Sequence, residues 1–357
     1  MDESKTWRIV LLGKTGAGKS SLANTILGEQ LFKIGHSFNA ETSKCQAKTK
    51  SVSGRSITLI DTPGFFDPDR SEEELKPEIV RCITECAPGP HAFLIVLEVA
   101  KFTEQEQAVI DKINQYFSEE AFKYATVVFT RGDQLPEGQT IQDLVQQNKS
   151  VHDLVKKCGS RCHVVDNKYW NQNSEDEYRS NQVQVEKILK SIEEMVVVNR
   201  GGCYTNDMLR KVEEIVKQEE ERIRQSSGNM SGTEVAEQAK RSTIQKLLIK
   251  LAGVGTGALF GAFFGVAAAA GVVLAALNSL QILGVAGIAG GAAVTPIGAV
   301  LGASAAVGGV MGGITGYDAA DGANTPLEAA ERAAEAVMHQ AQLAKKAAGC
   351  LNLLDKK

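Results

Sequence analysis

The sequence predicts an α/β domain, a mostly parallel sheet flanked by helices, followed by a helical extension and a Gly/Ala-rich apolar helical hairpin. Three observations carry this. An apolar strand at Ile9–Leu12 runs into G-x-x-x-x-G-K-S, and a helical pattern begins near Gly18. A second apolar strand, Ile57–Ile60, ends in Asp61-Thr62-Pro63-Gly64. From Leu251 to Tyr317 there is no Asp, Glu, Lys, Arg or His, and this stretch holds half of the chain's 34 glycines.

At 357 residues and 43% hydrophobic content the chain has room for two domains, or for one with appendages. A formal charge of −4 and a pI near 5.9 give no reason to expect nucleic-acid binding. The seven cysteines include two C-x-x-x-C pairs, Cys82/Cys86 and Cys158/Cys162, which lack the paired knuckles of a zinc ribbon. With no signal peptide ahead of Trp7, free thiols in a reducing cytosol are expected.

Residues 5–200 alternate short β-branched runs with helical patterns, as an α/β domain does. Residues 201–250 are charged, carry helical spacing and break at Ser226–Gly232, "SSGNMSG". Residues 251–317 are the apolar segment. Residues 318–357 return to mixed charge, with a helix start at Thr325–Glu328, "TPLE".

The loop Gly13-Lys14-Thr15-Gly16-Ala17-Gly18-Lys19-Ser20, with Ser21 behind it, has the residues that phosphate binding needs. Backbone N–H groups point inward, the helix N-terminus adds its dipole, and glycines admit a close approach. Lys19 is placed for the β- and γ-phosphates, and Ser20 gives its hydroxyl to Mg²⁺. Asp61 ends its strand where it can hold the Mg²⁺ through water, and the Gly64 N–H can bond a γ-phosphate and register its loss. The strand in "YATVVFTRGDQL" ends in Thr130-Arg131-Gly132-Asp133. A carboxylate at Asp133 can accept from both N1–H and the 2-amino group of guanine, which adenine cannot offer. GTP or GDP is therefore expected rather than ATP. Arg131 belongs to the same base loop, and many GTPases have Asn where Thr130 stands. Asn167, in "RCHVVDNKYW", can approach the base from the other side, with Tyr169 or Trp170 either covering it or packing the loop. Together these residues predict a P-loop GTPase domain.

The domain resembles the GTPases of the immunity-associated protein family, relatives of septins and the chloroplast import GTPases. Beyond the nucleotide motifs, "PGPHAFLIVL" with "KFTEQE", "RCHVVDNK" and "GGCYTNDM" carry the resemblance over roughly residues 5–210. It implies GTP/GDP with Mg²⁺, and it puts Thr42 in "NAETSKCQ" at the switch threonine that coordinates Mg²⁺ and senses the γ-phosphate. His91 is either a catalytic residue or a histidine capping a strand. Relatives dimerise across the nucleotide face, some assemble further, and some complete each other's sites. Family relatives often place Arg at the position of Lys101, where it serves as a finger to the opposite nucleotide.

Ras-like hydrolysis needs a Gln just after D-x-x-G, and this chain has Phe65 there. Slow hydrolysis is expected, with two readings open: a GTP hydrolase activated by self-assembly, or a non-hydrolysing membrane scaffold. The apolar segment can be a membrane insert or a soluble helical core. Leu251–Leu277 as one helix would span roughly 40 Å, against a hydrocarbon core of about 30 Å. Ile297–Gly316 is a weaker second span. A hairpin is expected to turn near Asn278–Gln281 or around Pro296. Gly253, Gly257, Gly261 and Gly265, and later Gly308, Gly312 and Gly316, recur every four residues and would open one helix face to close packing. Lys240, Arg241, Lys246 and Lys250 come without an acid between them and fit an anionic lipid leaflet. Membrane lipid is thus the expected partner besides a second copy, on the cytosolic face of an intracellular membrane.

Overall fold

A computed structural model describes residues 6–34, 44–67, 70–170, 177–226 and 230–283. The chain divides into two compact units. The first is Met1–Glu214 with Phe263–Val266, and the second runs from Ile215 to Ala262 and resumes at Ala267.

The first unit follows the order β1 (Trp7–Leu12), α1 (Lys19–Leu27), β2 (Gln46–Val52), β3 (Arg55–Asp61), α2 (Glu72–Cys86), β4 (Ala92–Glu98), α3 (Glu104–Tyr116), α4 (Glu119–Lys123), β5 (Ala125–Thr130), α5 (Ile141–Gln146), α6 (Lys149–Lys157), β6 (Cys162–Val164) and α7 (Asn181–Val198). The strands form one sheet in the order β2-β3-β1-β4-β5-β6. Among the described residues only β2 runs antiparallel, against β3. The sequence explains the layering. Strand β5 is buried along its whole length and β4 up to Leu97, as parallel strands covered on both faces require. Strand β2, "QAKTKSV", is polar and forms the edge. It was not expected as a strand, because an edge needs no apolar run. Helix α3 starts behind Thr103, where Thr103 and Glu106 close a capping box.

The core of this unit includes part of the apolar segment. Phe264 stacks on Phe117 at 4.2 Å and lies 5.5 Å from Phe93, while Phe263 meets Phe93 edge-on at 5.9 Å. The Tyr204 hydroxyl and the Asn206 amide both donate to the Phe263 carbonyl at 3.1 Å, and the Ser118 N–H donates to that of Phe264 at 3.0 Å. Gly265 follows at φ +88°, where a Cβ would lie 2.8 Å from the Ser118 and Tyr204 hydroxyl oxygens, so the chain passes there only without a side chain.

This turn corrects the reading of Leu251–Leu277 as one continuous span. Helix α8 (Asp207–Ser226) leads to α9 (Gly232–Lys250), α10 (Thr256–Phe263) and α11 (Ala267–Leu283). Among the described residues no single helix is long and apolar enough to cross a membrane. Helices α10 and α11 pass that test only together, and they are bent by 108°. The hairpin turn expected near Asn278–Gln281 is absent, since α11 runs through those residues. Gly253 and Gly265 lie outside helices, so the first glycine series does not line one face. Pro296, Ile297–Gly316, the second glycine series and the helix start at Thr325 lie outside the described residues.

The break between α8 and α9 falls where "SSGNMSG" was expected to put it, and Ser231 caps α9 with Glu234. Ile223, Val235 and Ala239 form an apolar cluster between the two helices. Beside it Glu219, buried on α8, accepts from the Ser242 hydroxyl at 2.6 Å, from Arg222 at 3.0 Å and from Lys246. These donors outweigh burial and hold its carboxyl down at about 2. Arg241 pairs with Glu237 at 3.5 Å. Lys246 and Arg241 of the basic stretch thus pair with acids on the neighbouring helix and in the preceding turn.

Candidate nucleotide site

The register of the sheet gathers the candidate residues at one edge. Leu11 stands opposite Asp61, Glu98 opposite Thr130, and Phe129 opposite Val164. The loops after β1, β3, β5 and β6 therefore open on the same side, the side of an α/β sheet where ligands bind.

The loop after β1 is held by glycines at positive φ. A Cβ on Gly13 (φ +151°) would meet the Val96 carbonyl oxygen at 2.5 Å. Gly18 (φ +83°) caps α1 and lies against Thr130 and Asn167, 3.2 and 3.3 Å from where a Cβ would be. That contact ties the phosphate loop to both base loops. Lys19 is buried and donates to the carbonyls of Gly13 (3.2 Å) and Lys14 (2.7 Å). Desolvation lowers its pKa to about 8, with Asp61 opposing. The Ser20 hydroxyl bonds Asp61 Oδ2 at 2.5 Å, and burial raises the Asp61 pKa against that bond and the charge of Lys19. Asp61 Oδ1 is buried without a hydrogen-bond partner. A hydroxyl and a carboxylate with an unmatched oxygen are the hard oxygen donors that Mg²⁺ takes, so these residues fit the ion. Gly64 packs on Thr15, with no space for a Cβ between them.

Thr130 is buried and donates to the Ala17 carbonyl at 2.9 Å, so it braces the phosphate loop. Asp133 lines a groove of about 910 Å³ together with Gly18, Lys101, Asn167 and Tyr169. The Asn167 carbonyl oxygen accepts from Thr25 at 3.0 Å, which fixes its side chain above α1. Trp170 is buried against Gly132 and is loop packing, while Tyr169 is 58% exposed at the groove.

The AIG1 family model matches residues 7–225. The chain is 30% identical to immune-associated nucleotide-binding protein 7 of Arabidopsis thaliana, over 68% of this chain and 76% of that protein. It is 33% identical to GTPase IMAP family member 8 of Homo sapiens, over 56% of this chain and 29% of that one. Among solved structures, Toc33 from Arabidopsis thaliana in complex with GDP and Mg²⁺ overlaps with a TM-score of 0.43 at 19% identity, covering 55% of this chain and 86% of that chain. The chain belongs to the AIG1 family.

Within this AIG1 domain, the remaining candidates divide. Lys101 is exposed on the rim of the base groove. Arg131, in the left-handed region at φ +60°, turns to Glu98 at 2.9 Å. Lys14 pairs with Glu106 at the start of α3, so its ammonium is engaged outside the phosphate cradle. Thr42 lies outside the described residues. His91 is not part of the site. Its N–H donates to the Arg8 carbonyl at 2.7 Å and its Nδ1 accepts from the Arg8 N–H at 3.0 Å, at the opposite end of β1. Five residues of strand, roughly 16 Å, separate Arg8 from Gly13. Burial, aided by Arg8, lowers the His91 pKa to about 4 and keeps it neutral. Of the two readings left open for His91, this geometry fits the strand cap and not the catalytic one.

Two residues escaped sequence reasoning. Glu106, in "KFTEQE", drew no reading of its own, yet it closes the Thr103 capping box and pairs with Lys14 of the phosphate loop. Asp166 read as a loop residue beside Asn167, yet it is buried at 1% exposure and accepts three backbone N–H groups. Its only signal was a carboxylate just after an apolar run, "HVVD", like the "TLID" that ends in Asp61.

Proposed function

We propose that this AIG1 domain binds guanine nucleotide with Mg²⁺, hydrolyses GTP slowly, and meets a second copy across its nucleotide face. The observation that carries the reading is one connected site. Gly18 of the phosphate loop touches Thr130 and Asn167 of the base loops, and Asp133 lines the same groove. Lys19, Ser20 and Asp61 would hold the phosphates and the ion, whose part is to neutralise charge on the phosphate oxygens. The names of the matched relatives, nucleotide-binding proteins and GTPases, agree. Slow hydrolysis follows from Phe65, which is buried in the core and offers attacking water no hydrogen bond. The test is base selectivity. Asp133→Asn should weaken GTP binding by about 2 to 4 kcal/mol and narrow the preference over ATP, because an amide accepts only one of guanine's two N–H groups. Competition against a fluorescent GDP measures both, and unchanged GTP affinity would show that another loop reads the base.

The proposal extends to the cytosolic face of an intracellular membrane, because the charge-free sequence continues to Tyr317. The soluble alternative has support of its own: Leu259, Phe260, Phe263 and Phe264 are buried within the protein. Flotation with anionic vesicles separates the two. The full chain should float and a chain ending at Leu283 should not. A truncation near residue 250 would be a poor comparison, since it strips Phe263 and Phe264 from the first unit's core. A full chain that stays with the soluble fraction would leave the apolar segment as internal packing.

A further inference from the structure

We infer that Asp166 is the positioning residue of the base site, its carboxylate holding Asp133 and the loop after β6 in the arrangement that receives guanine. This rests on the guanine reading above. The two base loops come from different strands, and nothing in their local sequence sets their spacing. Asp166 does so with both oxygens. Oδ1 accepts the N–H groups of Lys168 (2.7 Å) and Tyr169 (2.6 Å), folding its own loop beneath the exposed ring of Tyr169. Oδ2 accepts the Asp133 N–H at 3.0 Å, reaching across to the loop after β5. The backbone of Asp166 is pinned in turn: its N–H donates to Asn181 Oδ1 at 3.0 Å, and its carbonyl accepts from the Asn181 amide on α7. Gly132, just before Asp133, donates to the Val165 carbonyl at 2.9 Å, so the two loops are joined on both sides of the carboxylate.

Asp166 also sets the charge that Asp133 meets. Asp133 is faced by Asp166 and Lys168 from the loop after β6, by Arg131 of its own loop paired to Glu98, and by Lys101 on the rim. The side-chain contact with Asp166, and then burial, raise the Asp133 pKa; burial opposes the charge on Asp166, but the contact with Asp133 and the N–H groups of Tyr169, Lys168 and Asp133 lower it. Guanine donates two N–H groups and needs Asp133 ionised, so binding should fail on acidification at a higher pH than for an isolated aspartate. The neighbour that places Asp133 is also the one that makes it sensitive to protons.

The substitution Asp166→Asn separates these effects. An amide has one acceptor oxygen, so it can keep the Lys168 and Tyr169 N–H groups or the Asp133 N–H, and its NH₂ cannot serve the other side. The full chain is titrated with fluorescent GDP from pH 5 to 8, with circular dichroism checking the fold at each pH. At pH 7.5 the dissociation constant should rise about tenfold, the worth of one hydrogen bond to a charged acceptor. The pH midpoint of binding should meanwhile move down, because the carboxylate that raised Asp133 is gone. A purely structural role would weaken binding without moving the midpoint, and that result, like an unchanged dissociation constant, overturns the inference. Should Asp166→Asn fail to fold, Asn181→Ser keeps both carboxylates and loosens their placement. It should weaken GDP severalfold and move the midpoint down, by less than Asp166→Asn, and unchanged affinity or an unmoved midpoint overturns the inference. Wild-type chain that binds no fluorescent GDP at pH 7.5 would instead bring down the guanine reading itself, and this inference with it.

Discussion

His91 and His163 show how a buried titratable group acts without any part in chemistry. His91 joins the start of β4 to β1, and His163 in β6 bonds the Ser191 hydroxyl at 2.9 Å. Burial lowers both to about 4, with Arg8 and Lys187 adding repulsion. Unfolded, each would titrate near 6.5. The folded values are the depressed ones, so the unfolded chain binds more protons between those limits. The stability this confers is whole above about pH 6.5 and is lost as pH falls toward 4. From pH 7.5 to pH 5 the loss should be about 2 kcal/mol for each histidine. Urea unfolding at the two pH values measures it, and His163→Gln should remove roughly half of the difference. A flat profile would mean that these rings are open to protons in the folded chain.

At the scale of elements, glycine conformation decides whether the phosphate loop exists. Gly18→Ala would put a Cβ at φ +83° and within 3.3 Å of Asn167 and Thr130. The left-handed conformation alone should cost about 1 to 2 kcal/mol, and pushing Asn167 aside opens the base loop. The variant should lower the unfolding midpoint modestly but abolish fluorescent GDP binding, two readouts that a mere folding defect would move together. Gly16→Ala serves as the contrast, with φ +82° but nothing within 4 Å. This loop was legible in the sequence because its glycines, lysine and serine are all local. So were the ends of β1, β3 and β5, where apolar runs stop at functional residues. Strand β2 was not legible, since an edge strand needs no apolar pattern. Asp166 was hidden because its partner Asp133 lies far away in sequence. The break at Phe264–Val266 was hidden for a third reason. Composition shows that a segment is apolar but not whether protein or lipid covers it, and here Phe117 and Phe93 do.

At the scale of the whole molecule, the proposed second copy would face a site that has Phe65 where Ras-like hydrolysis uses a glutamine. Lys101 is the residue placed to reach across. It is exposed at the rim of the base groove, just before the Thr103 cap of α3, a helix tied to the phosphate loop through Glu106 and Lys14. A facing copy would receive that side chain at its own nucleotide, and in a two-fold arrangement each copy would serve the other. Lysine offers a single, strongly hydrated charge, whereas arginine offers a planar fork that bridges two phosphate oxygens. Arginine fingers are worth about 10³ to 10⁵ in rate, so a lysine here should leave turnover slow even in a dimer. Lys101→Arg should raise GTP turnover several-fold, and only at protein concentrations where sedimentation shows dimers. Plotted against concentration, specific activity should curve upward for the variant and stay near flat for the wild type. Faster turnover in dilute, monomeric variant would place the new guanidinium at its own nucleotide, and no gain in the dimer would leave Lys101 a solvated residue ahead of α3.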